Sequence, residues 1–89
     1  MPTREYHEGL WEGVPEGARP ADWQRRLEFL LAHVSAGQRV LDVGCGEGWF
    51  AGAMVDAGAR VVAIDVAEEP LRRARAQHHD LDLRRVPAE

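Results

Sequence analysis

Between residues 21 and 35 the apolar positions fall on one helical stripe. Trp23, Leu27, Leu30, Leu31 and Val34 stand at i, i+4, i+7, i+8 and i+11. Pro20 and Asp22 suit the first turn of that helix and Gly37 its stop, while Arg25, Arg26 and Glu28 lie off the stripe. The period then changes. Residues 38–44 read as a short strand whose apolar run, Val40-Leu41 and Val43, encloses a carboxylate, Asp42. A second helix is expected over 47–57, buried through Phe50, Ala51, Met54 and Val55 and closed by Gly58 at the C′ position. Residues 60–65 form a continuous apolar run, as in a parallel strand covered on both faces. A third helix follows, with Glu68 and Glu69 at its anion-favouring N-terminus, Pro70 in its first turn, and Leu71, Ala74 and His78 on its inner side. Residues 81–86 read as a third strand. Helices alternating with strands in this order imply an α/β fold with a parallel sheet and right-handed crossovers.

Residues 1–20 break this regularity. Gly9, Gly13, Pro15, Gly17 and Pro20 interrupt any pattern, and the apolar residues are few but large: Tyr6, Leu10, Trp11 and Val14. The segment reads either as a loose tail or as an arm whose aromatics close over the domain as a lid, because such side chains are costly to leave in water. The expected organisation is therefore an arm over 1–20 and a folded unit over 21–89.

Composition adds limits. Eighty-nine residues make one small domain, which buries only about 60–65% of its unfolded surface. The net charge of −4 argues against nonspecific nucleic-acid binding. Cys45 is the sole cysteine, so no internal disulfide forms, and no Cys/His spacing suits a metal. A reducing, cytoplasmic setting is expected. Residues 1–8 are polar, so a secretory signal is not expected there, and the longest apolar stretches, a few residues each, are too short to span a membrane.

The candidate chemistry lies at the first strand's end. Gly44, Gly46 and Gly48 follow Asp42 at two-residue spacing and lead into a helix; the next strand ends in Asp65, 21 residues after Gly44. A carboxylate there is placed to accept hydrogen bonds from ribose hydroxyls. A dinucleotide fingerprint read from Gly44 fails at Trp49. Read from Gly46 it meets the relaxed form, with Gly48 and Ala51. A nicotinamide cofactor thus stays open, although Glu47 would repel a pyrophosphate. A cationic, ribose-bearing ligand accounts better for the two acids.

The run Leu41-Asp42-Val43-Gly44-Cys45-Gly46-Glu47-Gly48 resembles the first motif of class I S-adenosylmethionine-dependent methyltransferases. Val62-Ala63-Ile64-Asp65-Val66 resembles the second-strand motif, and the helix beginning Glu69-Pro70-Leu71 follows in the usual place. The resemblance is closest to small-molecule enzymes of the ubiquinone/menaquinone-biosynthesis type. It implies a Rossmann-like three-layer αβα fold of seven strands, of which this chain supplies about three, the N-terminal half only. It implies that Asp42 faces the methionine ammonium and that Gly44, Gly46 and Gly48 let the backbone approach the cofactor. By the same resemblance Gly44 and Cys45 line the pocket, Asp65 holds the ribose hydroxyls, Val66 lies against adenine, and Ala88 offers a backbone N–H to its edge. The acid that often precedes this last position is missing or displaced. The rest of the sheet would come from a longer enzyme or from another copy pairing with the free edge of the first strand.

No catalytic residue is assigned. Methyl transfer needs alignment of acceptor and sulfonium more than a nucleophile, and Cys45 reads as a pocket wall, with no basic neighbour to activate it. The alternatives are a cofactor-binding regulatory module without turnover and a nicotinamide-dependent oxidoreductase fragment. Elsewhere, His78-His79-Asp80 reads as a solvated helix end and His33 as structural or exposed, while His7 has a candidate role over the site. Arg72, Arg73, Arg75, Arg84 and Arg85 read as a solvated basic face rather than a contact for RNA or an anionic acceptor.

Overall fold

A computed structural model of the chain describes residues 4–78 and 80–87; the side chain of His7, and His79, Ala88 and Glu89, lie outside the described residues. The elements run α1 (Arg4–Glu12), α2 (Trp23–His33), β1 (Arg39–Val43), α3 (Trp49–Asp56), β2 (Arg60–Asp65), α4 (Glu68–Gln77) and β3 (Asp82–Arg85). The strands form one parallel sheet in the order β1-β2-β3, with Asp42 opposite Ala63 and Asp65 opposite Arg85. Every predicted element is present, within two residues at most ends.

The core lies between the sheet and α3. Ala51 and Met54 of α3 pack on Val61 and Ala63 of β2, with Ala59, and the partly buried Val34, Val40, Phe50, Val55, Leu81 and Leu83 enclose them. Small side chains at 51 and 63 bring helix and sheet close, and a cluster that is mostly Ala and Val stabilises modestly per residue. Gly58 ends α3 as its sequence requires: its φ is +96° and its N–H donates to the Val55 carbonyl. A side chain there would meet Ala36 at 3.0 Å.

Three elements depart from expectation. The segment taken as unpatterned contains a nine-residue helix, α1, packed on α4. Its local sequence is poor in helix signals, and its order comes from tertiary contact. The Glu8 carboxylate accepts hydrogen bonds from the Glu68 and Glu69 N–H groups, at 2.9 and 3.0 Å, and so caps α4, whose own N-cap residue, Ala67, has no side-chain acceptor. The Glu69 N–H, helped by that of Glu68 and by Arg4, holds the Glu8 carboxyl below its usual range against the opposing effect of burial.

Asp22 is the second departure. It sits before α2 in the left-handed region, φ 53°, and its side chain makes no cap hydrogen bond; its carbonyl starts the helix instead. No residue of α2 is fully buried. Trp23 meets Trp49 and Phe50 at centroid distances of 5.7 and 5.1 Å, so the stripe docks on α3 through its first turn, whereas Leu31 stays 38% exposed.

Finally, β2 is covered on one face only. Val61, Ala63 and Asp65 are buried, and Val62 and Ile64 between them are half-buried. On the same open face of β1, Leu41 and Val43 are exposed.

Candidate functional site

The strands' C-terminal ends converge on the glycine turn. Gly44, Gly46 and Gly48 have φ of +72°, +57° and +81°, a sequence of left-handed residues that glycine adopts without strain. This run of turns delays α3 to Trp49, two residues later than the apolar pattern indicates. The turn is closed internally. Gly44 and Cys45 both donate to the Ile64 carbonyl, at 2.9 and 3.0 Å, and Gly48 donates to the Cys45 carbonyl at 3.0 Å. Gly46 donates to Asp65 Oδ2 at 2.9 Å.

Asp65 is therefore the pin of the site. It is 9% exposed, and its second oxygen, Oδ1, accepts from the Ala67 N–H at 3.0 Å. The carboxylate thus fixes both the turn after β1 and the entry to α4, with lone pairs to spare. Asp42 approaches from β1, half-buried. Burial, and secondarily the charge of Asp65, raises its carboxyl above the usual carboxylate range. The same two influences, burial first and then Asp65 and Asp42, push the Cys45 thiol up to about 12. At neutral pH Cys45 is thus a protonated wall of the pocket and not a nucleophile. Val66, half-buried, follows Asp65 directly.

Two acids in one half-buried place make a potential that attracts a cation. Conversely, four N–H groups of the turn are spent inside the protein, so they are not available as a phosphate cradle. Trp11, Pro20, Arg26, Trp49 and Phe50 join Gly44–Glu47 around a cavity of about 210 Å³. A larger hollow, about 610 Å³, is lined by Arg39, Arg60, Asp82 and their neighbours at the N-terminal ends of the strands. Open α/β sheets bind ligands at the opposite, C-terminal ends, so the smaller cavity marks the candidate site; of the predicted site residues Gly44, Cys45 and Gly46 line it, and Asp42, Gly48, Asp65 and Val66 do not.

Sequence reasoning missed the roles of Glu47 and Arg73, and named Trp11 only among the aromatics of the lid alternative. Glu47, weighed only as a charge opposed to phosphate, is 3% exposed and bound to Arg73 at 3.0 Å, to the Gly17 N–H at 3.1 Å and to Gln77 Nε2 at 3.1 Å. Arg73, placed on a solvated face, is 7% exposed. A signal existed: Pro70, Arg73, Ala74 and Gln77 share one helical face. Trp11 comes from α1 and lies against Gly46, where an added Cβ would meet its ring at 3.2 Å. Three other members of the basic run pair with acids on the surface: Arg72 with Glu69 and Glu16, Arg75 with Glu68, Arg84 with Asp82.

Of the two readings of His78, the inner side of the helix agrees with the structure and the solvated helix end does not. Its ring packs edge-on against Trp49, at 5.7 Å, in space left by Gly52, and its Nε2 is buried without a hydrogen-bond partner. Desolvation holds its pKa below the usual value despite Asp56 and Glu47 nearby. His33 is exposed, its Nδ1 2.8 Å from the Phe29 carbonyl. Among the described residues no group of His, Cys, Asp and Glu is arranged to hold a metal ion, and no helix is long and apolar enough to cross a membrane.

A family model described as "Methyltransferase domain" matches residues 40–89, the stretch that contains β1 from its second residue on, the glycine turn, Asp42 and Asp65. The chain belongs to this methyltransferase domain family. A probable S-adenosylmethionine-dependent methyltransferase of Mycolicibacterium smegmatis is 38% identical over 74 residues, covering 80% of this chain and 29% of that protein. The ubiquinone biosynthesis O-methyltransferase of Bordetella avium is 46% identical over 70 residues, covering 72% and 29%. The methyltransferase chain described here thus spans about three-tenths of the length of these curated relatives.

Solved methyltransferases share the fold. An S-adenosylmethionine-dependent methyltransferase from Mesorhizobium loti superposes with a TM-score of 0.58 at 38% identity, covering 82% of this chain and 32% of that one. One from Thiobacillus denitrificans, in complex with S-adenosyl-L-homocysteine, gives 0.62 at 21% identity, covering 99% and 37%. At the latter identity the likeness is of fold alone, and the same Rossmann-like arrangement carries a [4+2]-cyclase, SpnF, at a TM-score of 0.64 and 24% identity.

Proposed function

We propose that this chain is the cofactor-binding part of an S-adenosyl-L-methionine-dependent methyltransferase that acts on a small molecule. The observation that carries the reading is the state of Asp65: it takes the Gly46 N–H for itself, while Asp42 stands beside it. That leaves acid, and not N–H donors, facing the ligand. A sulfonium and an ammonium suit such a site; a pyrophosphate, as in the nicotinamide alternative, does not. The family and the names of the relatives support the same reading.

When bound, the cofactor supplies a methyl group already activated on sulfur. The chain's own work is then to bind and orient. Asp42 faces the ammonium of the amino-acid end. Asp65, held rigid by Gly46 and Ala67, uses its remaining lone pairs for the ribose hydroxyls. Val66 lies against the adenine, and the backbone at Gly44, Cys45, Gly46 and Gly48 forms the near wall; Ala88, assigned to the adenine edge, lies outside the described residues. Cys45 stays neutral and adds polarisable surface. The arm covers the pocket through Trp11 and Pro20, and the folded unit after it forms the base. The cavity of about 210 Å³ is smaller than the roughly 300–1,000 Å³ usual for a ligand pocket, as suits one wall of a larger site. The acceptor, and any base acting on it, belong to the wall that completes it, whether from further strands or from a second copy on the β1 edge. A cytoplasmic location fits the reduced Cys45.

The test is calorimetric titration of the natural protein with S-adenosyl-L-homocysteine and, separately, with NAD. Saturable binding of the first alone is expected. Binding of NAD without any of the first sinks the proposal. Turnover of a methyl group onto a phenolic or amine acceptor separates an enzyme from a binding module.

A further inference from the structure

The buried ion pair Glu47–Arg73 lies where three segments meet, and one of them is the arm. Glu47 stands between two glycines of the turn. Arg73 comes from α4 and also reaches Glu69 at 3.3 Å. Its Nη2 donates to the Trp11 carbonyl at 3.2 Å, and its guanidinium lies over the Trp11 ring, 5.5 Å from the centroid. The arm returns the contact from its other end, because the Gly17 N–H donates to Glu47 Oε1. Both ends of residues 11–17 are thus fastened to one charge pair. The Trp11 ring, at the first of these ends, roofs the candidate cavity over Gly46.

A buried pair is costly to desolvate and is weak evidence for stability by itself. Here every charged atom is used, and the uses run to segments far apart in sequence. If the pair served only to pack α4 on the turn, the Trp11 carbonyl and the Gly17 N–H would have no reason to converge on it. We propose that Arg73 is a positioning residue: with Glu47 it locks Trp11 over the glycine turn, so that arm closure and the shape of the cofactor pocket are set together. A flat aromatic face above the turn also suits a cationic ligand centre. This last step rests on the proposed cofactor; the lock itself does not.

Two measurements separate the parts. Hydrogen exchange on the ligand-free chain reads the lock. In Arg73→Met the Gly17 amide is expected to exchange about tenfold faster, with the Gly44 and Cys45 amides, bonded to β2, unchanged. Equal acceleration at all three sites, or none at Gly17, overturns the lock. Arg73→Lys keeps the charge in place and is expected to restore part of the protection; it also serves if the Met variant does not fold.

Binding reads the pocket. S-adenosyl-L-homocysteine is expected to bind about tenfold more weakly to Arg73→Met and to Trp11→Ala, with Trp11→Phe close to the parent. It is also expected to slow Gly17 exchange in the parent chain. Unchanged affinity in both variants, at a temperature where each remains folded, overturns the coupling of arm to pocket. If the parent binds no S-adenosyl-L-homocysteine, the cofactor assignment fails, and with it the coupling, while the exchange data still decide the lock.

Discussion

On one face of the sheet Val61 and Ala63 are 8% and 0% exposed; on the other, Leu41 and Val43 are 61% and 71% exposed. The difference is not one of residue type. Val62 and Ile64 are as apolar as Val61 and Ala63, and along β2 the alternation is of burial rather than of chemistry. The strands are written for cover on two faces, and among the described residues α3 and its neighbours supply it on one. An edge strand with an apolar face invites pairing, and the candidate site sits at the end of that strand. The covered side of the turn, with Asp65, Glu47, Arg73 and α4, is therefore built to be rigid. The open face, with Leu41 and Val43 of β1, is bare among the described residues, while Asp42 between them points to the covered face with Ala63.

Core truncation tests the contrast most strongly. Leu71, fully buried on α4, is expected to cost about 3 kcal/mol when changed to Ala, whereas Leu41→Ala is expected to change stability by under about 0.5 kcal/mol. Urea denaturation of both variants measures this; equal losses would mean that β1 is covered in solution. Next in size is Asp42→Asn. Its carboxyl is raised because burial, and secondarily the charge of Asp65, disfavours the ionised form, so at neutral pH removing the charge is expected to raise the Tm of the ligand-free chain. The same change is expected to weaken S-adenosyl-L-homocysteine by about tenfold, through loss of a charged hydrogen bond. A Tm that falls together with affinity would show that Asp42 serves the fold.

Smaller effects follow at the margins. Val43→Lys places a charge on the open edge and is expected to lower self-association in sedimentation velocity at high concentration, with the Tm nearly unchanged. His78 offers a pH test on the covered side. Its folded pKa lies below 6.5, so between 6.5 and that lower value the unfolded chain binds a proton that the folded chain does not. Stability is expected to fall as pH drops through this window. In His78→Gln the decline in Tm from pH 7.5 to pH 5 is expected to be shallower; an identical decline would place the titration elsewhere.

Much of this was legible because it is local. The stripe from Trp23 to Val34, the switch of period at Val40, and Gly58 as a helix stop each rest on neighbours within a few residues. The two-residue spacing of Gly44, Gly46 and Gly48 between Asp42 and Asp65 pointed to the candidate site for the same reason. What stayed hidden were partnerships of high sequence separation. Glu8 caps a helix some sixty residues away, and Arg73 looked like one member of a charge run until its buried partner was seen. His78 looked solvated because the space that takes its ring is made by Gly52 on another helix.

By itself, then, the sequence determined the α/β alternation, the parallel sheet and the place and sign of the candidate site, because periodicity, glycine geometry and carboxylate spacing are properties of short segments. Only the tertiary structure decided that Asp65 consumes the Gly46 N–H, that Arg4–Glu12 form a helix whose Trp11 lies against the turn, and that among the described residues the sheet shows one bare face. Those outcomes depend on which distant groups meet once the chain has closed, where burial turns a surface charge into a buried pin and leaves an equally apolar face in water.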